Sequence, residues 1–387
     1  MDFAPEEHHV QIRSAVAELA ARFDSSYWER HDHEHLFPWD FYNAFAEAGW
    51  IGIAIPEEYD GSGLGLTEAG ILMQTIAASG AAMNGCTPIH LSVFGINIIT
   101  KHGGPELRRE VLPKVASGEL HTCFAVTEPD AGTDTSRIRT VARRDADRFI
   151  LNGRKVWISK AGESQRAIVL VRTSPRSDEA PMHGLSVFLV DLDSNGIEMR
   201  AIAKMGRNAV ASYEVFFDDV EVPADRLVGE EGQGFRILLD GLNPERILLA
   251  HESIGIGRAS VALAVDYAKD RRVFDRPIGQ NQAIAFPLAQ AAAQLDAAEL
   301  VCQKAAWLYD QGRKCGREAN AAKLLAADAA FFAANRAVQT LGGMGYAEEY
   351  PASRYFREAR IMQLAPVSQE LALAFLAQNV LGLPKSY

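Results

Sequence analysis

Residues 123–136 read CFAVTEPDAGTDTS. An apolar, β-prone run ends at Val126-Thr127, and Pro129 and Gly132 then force a turn studded with hydroxyls. Alone, this is a decorated β-turn. Its place in the chain gives it weight, because the texture of the sequence changes here. Upstream, residues 1 to about 120 favour helix: HHVQIRSAVAELAARF and PWDFYNAFAEAGWIGI carry apolar residues at helical spacing. In GSGLGLTEAGILMQTIAASG a Gly-rich loop leads to Thr67, which reads as an N-cap before Glu68 and an apolar run.

Downstream, from about 121 to 230, the runs shorten and become rich in β-branched and aromatic residues, as in HTCFAVTE, RAIVLVRT, LSVFLVD and SYEVFFDDVEV. FILNGRKVWI reads as a hairpin turning at Asn152-Gly153. This segment predicts a small all-β barrel or sandwich. From about 233 onwards, Ala-rich helical patterns return, with Gly312 and Gly342-Gly343 as helix stops. They predict a bundle of about four or five helices. The expected plan is a multidomain α+β chain. It has an N-terminal helical domain over 1–121, a middle β domain over 122–232 and a C-terminal helical bundle over 233–387.

Composition narrows the function classes. The 387 residues carry a formal charge of −11 and no basic tract, which argues against non-specific nucleic-acid binding. Cys86, Cys123, Cys302 and Cys315 form no CxxC pair and read as free thiols of a reducing compartment. The first residues lack a basic region followed by an apolar stretch, and no run of about 18 uncharged apolar residues occurs. The expectation is a cytoplasmic protein without a membrane span. No GxxxxGK[ST], GxSxG or HExxH motif is present, and the GxG at Gly255 and Gly257 sits in a helical pattern rather than after a strand. His31, His33 and His35 alternate beside charges and read as a solvated loop rather than a metal site.

Three further stretches join the opening one. LNGRKVWIS places Trp157 and Ser159 on opposite faces of neighbouring strand positions. KDRRVFDRPIGQNQAI, at 269–284, sets arginines at a helix end before a turn. QTLGGMGY, at 339–346, clusters glycines that let backbone approach a ligand closely. In this order and spacing, the four resemble the acyl-CoA dehydrogenase family of flavoproteins. The resemblance covers essentially the entire chain, including MGRNAVASYEVFFDDVEVPADRLVGEEGQGF at the exit of the β segment.

The resemblance implies FAD between the β domain and the bundle. Phe124, Val126 and Thr127 would lie along the isoalloxazine, with Gly132 and Thr133 in the same loop. Trp157 would cover one face, and Ser159 would hydrogen-bond near N5. Arg271 and Phe274 of a neighbouring subunit would hold the pyrophosphate and adenine end, completed by Gln282, Gln339 and Gly343. Ser368 matches a flavin-contacting hydroxyl, whereas Asp275 stands where the family usually has Gly. The implied chemistry is α,β-dehydrogenation of an acyl-CoA thioester: a carboxylate takes the α-proton while the β-hydrogen leaves as hydride to flavin N5. The implied assembly is a homotetramer, and the implied electron acceptor is an electron-transfer flavoprotein.

Many family members carry the base late in the chain, in a stretch that here reads QLAPVSQE, at 363–370. Pro366 occupies that position and offers neither a carboxylate nor an N–H, so Val367 N–H becomes the candidate donor to the thioester oxygen. Glu370 is near but falls at a helix start. A minority of the family, isovaleryl- and long-chain-type enzymes among them, place the base in an L-x-x-E-R stretch. LNPERILLA matches it at Glu245, followed by Arg246, with Asn243 and Thr133 as further acyl-CoA contacts. A purely local reading competes: Asn243 as N-cap, Pro244 as first helical residue, and Glu245 as a first-turn acid favoured by the helix dipole. Two rival functions use the same fold, a flavin monooxygenase or oxidase and a non-catalytic scaffold. The acyl group is not fixed by the sequence.

Overall fold

The computed structural model describes residues 6–385. Seven helices open it: α1 (Glu7–Ala20), α2 (Ser25–Glu34), α3 (Trp39–Glu47), α4 (Leu66–Ile76), α5 (Ala82–Phe94), α6 (Asn97–His102) and α7 (Pro105–Ala116). Eight strands follow: β1 (Thr122–Ala125), β2 (Val141–Asp145), β3 (Arg148–Ser159), β4 (Arg166–Arg172), β5 (Leu185–Asp191), β6 (Ile197–Ala201), β7 (Ser212–Pro223) and β8 (Leu227–Val228). The last part holds α8 (Gly234–Asp270), the short pair β9 (Arg272–Val273) and β10 (Arg276–Pro277), α9 (Gln282–Asp310), α10 (Gly316–Leu341), the single turn α11 (Gly343–Tyr346), α12 (Ala352–Leu364) and α13 (Gln369–Phe375). The order of helices, sheet and helices is the one the sequence predicts.

The eight strands make one sheet, ordered β6-β7-β3-β2-β4-β5-β8, with β1 parallel to β4. Phe149, Phe188, Val190 and Val220 are buried in its own core. The expected hairpin at Asn152-Gly153 is absent. β3 runs straight through, with a register shift against β7 between Leu151 and Gly153. Gly153 adopts φ 150, and a Cβ there would stand 2.6 Å from the Thr140 Cα, so close backbone approach selects glycine rather than a turn. The reversal lies at Ala146-Asp147, where Asp145 pairs with Arg148 and Ala146 takes φ 56.

Helix α8 is the axis of the helical part. It packs against α4, α5, α9, α10 and α12. Two glycines make this possible. A Cβ on Gly255 would lie 2.5 Å from Ala77 Cβ, and one on Gly257 would lie 2.5 Å from Leu295 Cδ2. Among the described residues, α8 alone has the length and apolarity of a membrane span, but 78% of that window is buried inside the protein, as for a core helix.

Two tertiary ties replace expected local ones. Helix α4 begins at Leu66, not after Thr67, and its first N–H groups are capped by the Asp310 carboxylate of α9. Leu66 N donates at 2.7 Å, Thr67 N at 3.0 Å and Thr67 Oγ1 at 2.6 Å. Asp32 of α2 joins all three parts: its carboxylate accepts from Asn84 Nδ2 at 3.0 Å, from Asn208 N at 3.0 Å and from Arg357 Nη2 at 2.8 Å. His31, His33 and His35 belong to α2 and its C-cap rather than to a loop, with His31 buried and its ring against Tyr27 O. All four cysteines are free and buried.

Candidate active site

Glu245 lies in the twelfth position of the 37-residue α8, not at a helix start. Asn243 is therefore no cap, and Pro244 sits inside the helix. The local dipole reading is overturned, because the positive end of α8 is about three turns away. Asn243 instead accepts a hydrogen bond from Arg246 Nη1 at 3.2 Å. Glu245 is 7% exposed. Burial pushes its carboxyl up to about 7, although His90, Arg246 and Lys323 pull the other way. A carboxylate at that value is poised to accept a proton near neutrality.

Other charges surround it. His90 of α5 donates from Nδ1 to Glu252 Oε1 at 2.7 Å, and both residues are buried. Burial opposes the imidazolium, but Glu252 and then Glu245 outweigh it and raise the His90 pKa. On α10, Lys323 is 1% exposed, and its Nζ has no hydrogen-bond partner among the described residues. Burial lowers Lys323 to about 8. These residues escaped sequence reasoning. Glu252 did leave a signal, since it stands seven residues after Glu245 in an apolar run and so shares its helix face.

The 123–136 loop is locked from beneath. Lys155 Nζ, wholly buried, donates to Val126 O at 2.9 Å and to Glu128 Oε1 at 2.8 Å. Glu128 in turn accepts from Arg139 N at 2.7 Å and Thr140 N at 2.9 Å. This holds Val126 and Thr127 half-buried at the end of β1, with Gly132 and Thr133 exposed beyond them. Phe124 packs edge-on against Phe94 at 5.3 Å.

Trp157 is 55% exposed and takes φ 64, within a second register shift between Lys155 and Ile158. Ile158 belongs to the sheet core, whereas Trp157 and Ser159 both stand outside it, so the expected opposite faces are not found. Ser159 Oγ accepts from Arg207 Nη2 at 2.8 Å. Arg207 is a further residue missed in the sequence. Its Nε is buried and unpartnered among the described residues.

The second group of candidates is exposed. Arg271 caps the C-terminus of α8, Phe274 is 92% exposed, and Gln282, Gln339 and Gly343 lie at the surface. Phe274 and Asp275 take φ 52 and φ 63 in succession. A Cβ on Gly343 would meet nothing within 4 Å, which leaves its backbone open to a ligand. Ser368 is the N-cap of α13, accepting from Leu371 N at 3.3 Å. Glu370 follows in the first turn and is exposed, within electrostatic reach of Lys323. The Val367 N–H makes no hydrogen bond among the described residues.

The candidate residues thus comprise a deep acid on a core helix, hydroxyls and an exposed indole at the end of an interior strand, and an open glycine turn. The comparisons with known proteins identify the family. Residues 6–119, 123–220 and 232–381 match the acyl-CoA dehydrogenase N-terminal, middle and C-terminal domains. The chain is 38% identical over 389 residues to acyl-CoA dehydrogenase FadE12 of Mycobacterium tuberculosis, covering 100% of this chain and 99% of that protein. A solved glutaryl-coenzyme A dehydrogenase in its glutaryl-CoA complex matches with a TM-score of 0.95 at 31% identity, covering 100% of this chain and 98% of that one. A chain from the electron transferring flavoprotein of Acidaminococcus fermentans matches with a TM-score of 0.93 at 32% identity, covering 98% and 100%. The protein belongs to the acyl-CoA dehydrogenase family of flavin-dependent oxidoreductases.

Proposed function

We propose that the protein is an FAD-dependent acyl-CoA dehydrogenase in which Glu245 takes the α-proton of the acyl thioester. The observation that carries this reading is the buried Glu245 carboxyl, raised to about 7, in a chain whose Pro366 stands where the family commonly keeps its base. A buried carboxyl gains basicity by losing water. The same burial keeps solvent from quenching an enolate. Arg246 holds Asn243 and fixes the turn of α8 beside the base. The Val367 N–H is free to donate to the thioester oxygen as charge develops there.

The residues present fit FAD. Trp157 offers an exposed aromatic face, Ser159 and Thr127 offer hydroxyls, and the buried Arg207 brings a positive charge beside Ser159. When bound, FAD supplies the acceptor for the β-hydride. Arg271 stands 26 residues after Glu245, about 39 Å along a helix of ~1.5 Å rise per residue. An extended FAD is shorter than that. Arg271 and Phe274 therefore serve the cofactor of another subunit, as in a homotetramer. The electrons then pass to an electron-transfer flavoprotein, and four free buried thiols fit a reducing cytoplasm. The scaffold rival falls behind, because it needs no poised buried carboxyl; an oxidase would use the same base, and slow reoxidation of the reduced flavin in air separates the dehydrogenase from it.

The test is Glu245→Gln. The variant keeps its yellow FAD and binds acyl-CoA, but anaerobic bleaching by acyl-CoA slows by about 100- to 10,000-fold. Bleaching at the wild-type rate overturns the assignment.

A further inference from the structure

The surroundings of the buried Glu245 are not plain hydrocarbon. Gly241, Glu245 and Glu252 follow one another on α8 at offsets of four and seven residues, so they share a face. Opposite them on α5 stand His90 and Phe94, with ring centroids 5.5 Å apart, and Phe94 meets Phe124 of β1. A Cβ on Gly241 would lie 3.5 Å from Phe94 Cε2, so the glycine keeps room beside that ring. Along α8, Glu245 thus lies between Gly241 with Phe94, one turn before it, and the His90–Glu252 pair, about 10 Å after it.

The two members of the pair differ. Glu252 is 0% exposed, and His90 is 6% exposed. The 2.7 Å bond from Nδ1 to Glu252 Oε1 fixes the ring, and Nε2 is left without a partner among the described residues. A carboxylate behind an imidazole sets which nitrogen faces forward and keeps the facing one a donor. The pair is neutral as a unit, and Glu245 adds negative charge whenever it is ionised. Arg207, Arg246 and Lys323 are the other charged groups near, and Arg207 already donates to Ser159.

We infer that His90, held by Glu252, is a specificity-determining donor of the acyl pocket, and that the substrate is an acyl-CoA whose chain carries a neutral oxygen, hydroxyl or oxo, beyond the β-carbon. This rests on the acyl-CoA dehydrogenase reading of Glu245. A neutral oxygen accepts from Nε2 without adding charge. At Nε2 itself a terminal carboxylate would meet a pair with no net positive charge to offer it. A plain chain would leave the donor stranded against hydrocarbon.

The experiment is anaerobic reduction of the bound FAD by matched acyl-CoAs: a straight chain, the same chain with one hydroxyl or oxo group at successive positions beyond C3, and glutaryl-CoA. The oxygenated chain with its oxygen in register exceeds the plain one in kcat/KM by about tenfold or more, and glutaryl-CoA gains no such advantage. His90→Leu brings the oxygenated chain to or below the plain one, and His90→Gln, which keeps a donor, restores part of the preference. Glu252→Gln raises KM for the oxygenated chain more than it lowers kcat. FAD content and circular dichroism establish that each variant is folded.

A wild-type preference for the plain chain overturns the inference and leaves Glu245 as the base. So does a substrate ratio that His90→Leu does not change, even if the pH profile moves for both substrates alike. Failure of every acyl-CoA to bleach the flavin removes the dehydrogenase reading itself.

Discussion

The two ends of α8 contrast. Around Glu245 the helix is buried, with His90, Glu252 and Lys323 buried near it. At Arg271–Phe274 the same helix ends in the open, with an almost fully exposed phenylalanine on a left-handed turn. The inner end is built to change the properties of a side chain by removing water. The outer end is built to be finished by something else. On the proposed reading, one helix contributes a proton acceptor to its own site and a cofactor clamp to that of another subunit.

Breaking the two ends should give different failures. The largest effect is that of Glu245→Gln, which removes acyl-CoA bleaching without loss of flavin. Arg271→Ala does the reverse: the chain stays folded, FAD binding weakens by about tenfold or more, and added FAD restores turnover, as a dialysis and reconstitution assay reads.

A pH series sharpens the contrast. Glu245 has an ordinary value of 4.5 and a folded value of about 7, so reduction rises with pH through about 7 as the base ionises. Its contribution to stability has the opposite sign. The folded state holds the proton more tightly, so stability is fully present below 4.5 and is lost as pH rises towards 7, by on the order of 3 kcal/mol. Glu358 is also raised to about 7 by burial and adds to the same trend. Denaturant melts of Glu245→Gln against wild type isolate the Glu245 part, which vanishes from the variant's pH slope. The smallest effect belongs to the outer end. Asp275→Gly relieves a left-handed turn at φ 63 and stabilises the fold by roughly 0.5–1 kcal/mol, read as a small rise in Tm.

The sequence made the order of helix, sheet and helix legible because the period of its apolar residues changes near 121 and again near 233. It misplaced what depends on distant partners. Asn-Gly at 152–153 has turn chemistry, but Thr140 on a neighbouring segment holds Gly153 within an unbroken strand. Pro244 reads as a helix start, yet the packing of α8 against five other helices carries the helix through it. Glu245 was singled out because a family motif surrounds it. His90 and Glu252 were not, because 162 residues separate the two halves of their pair, and Glu252, though an acid in an apolar run, does not point to its partner in the sequence.

The Asp310 cap on α4 has a consequence for biosynthesis. The groups it joins are 244 residues apart. When α4 leaves the ribosome, its first turn has no acceptor and its apolar face has no α8 to lie on. At ~5–20 residues per second, roughly 12–50 s pass before α9 emerges to supply the carboxylate. During that interval the nascent N-terminal helices carry exposed apolar surface, a span in which a chaperone on the emerging chain has something to hold.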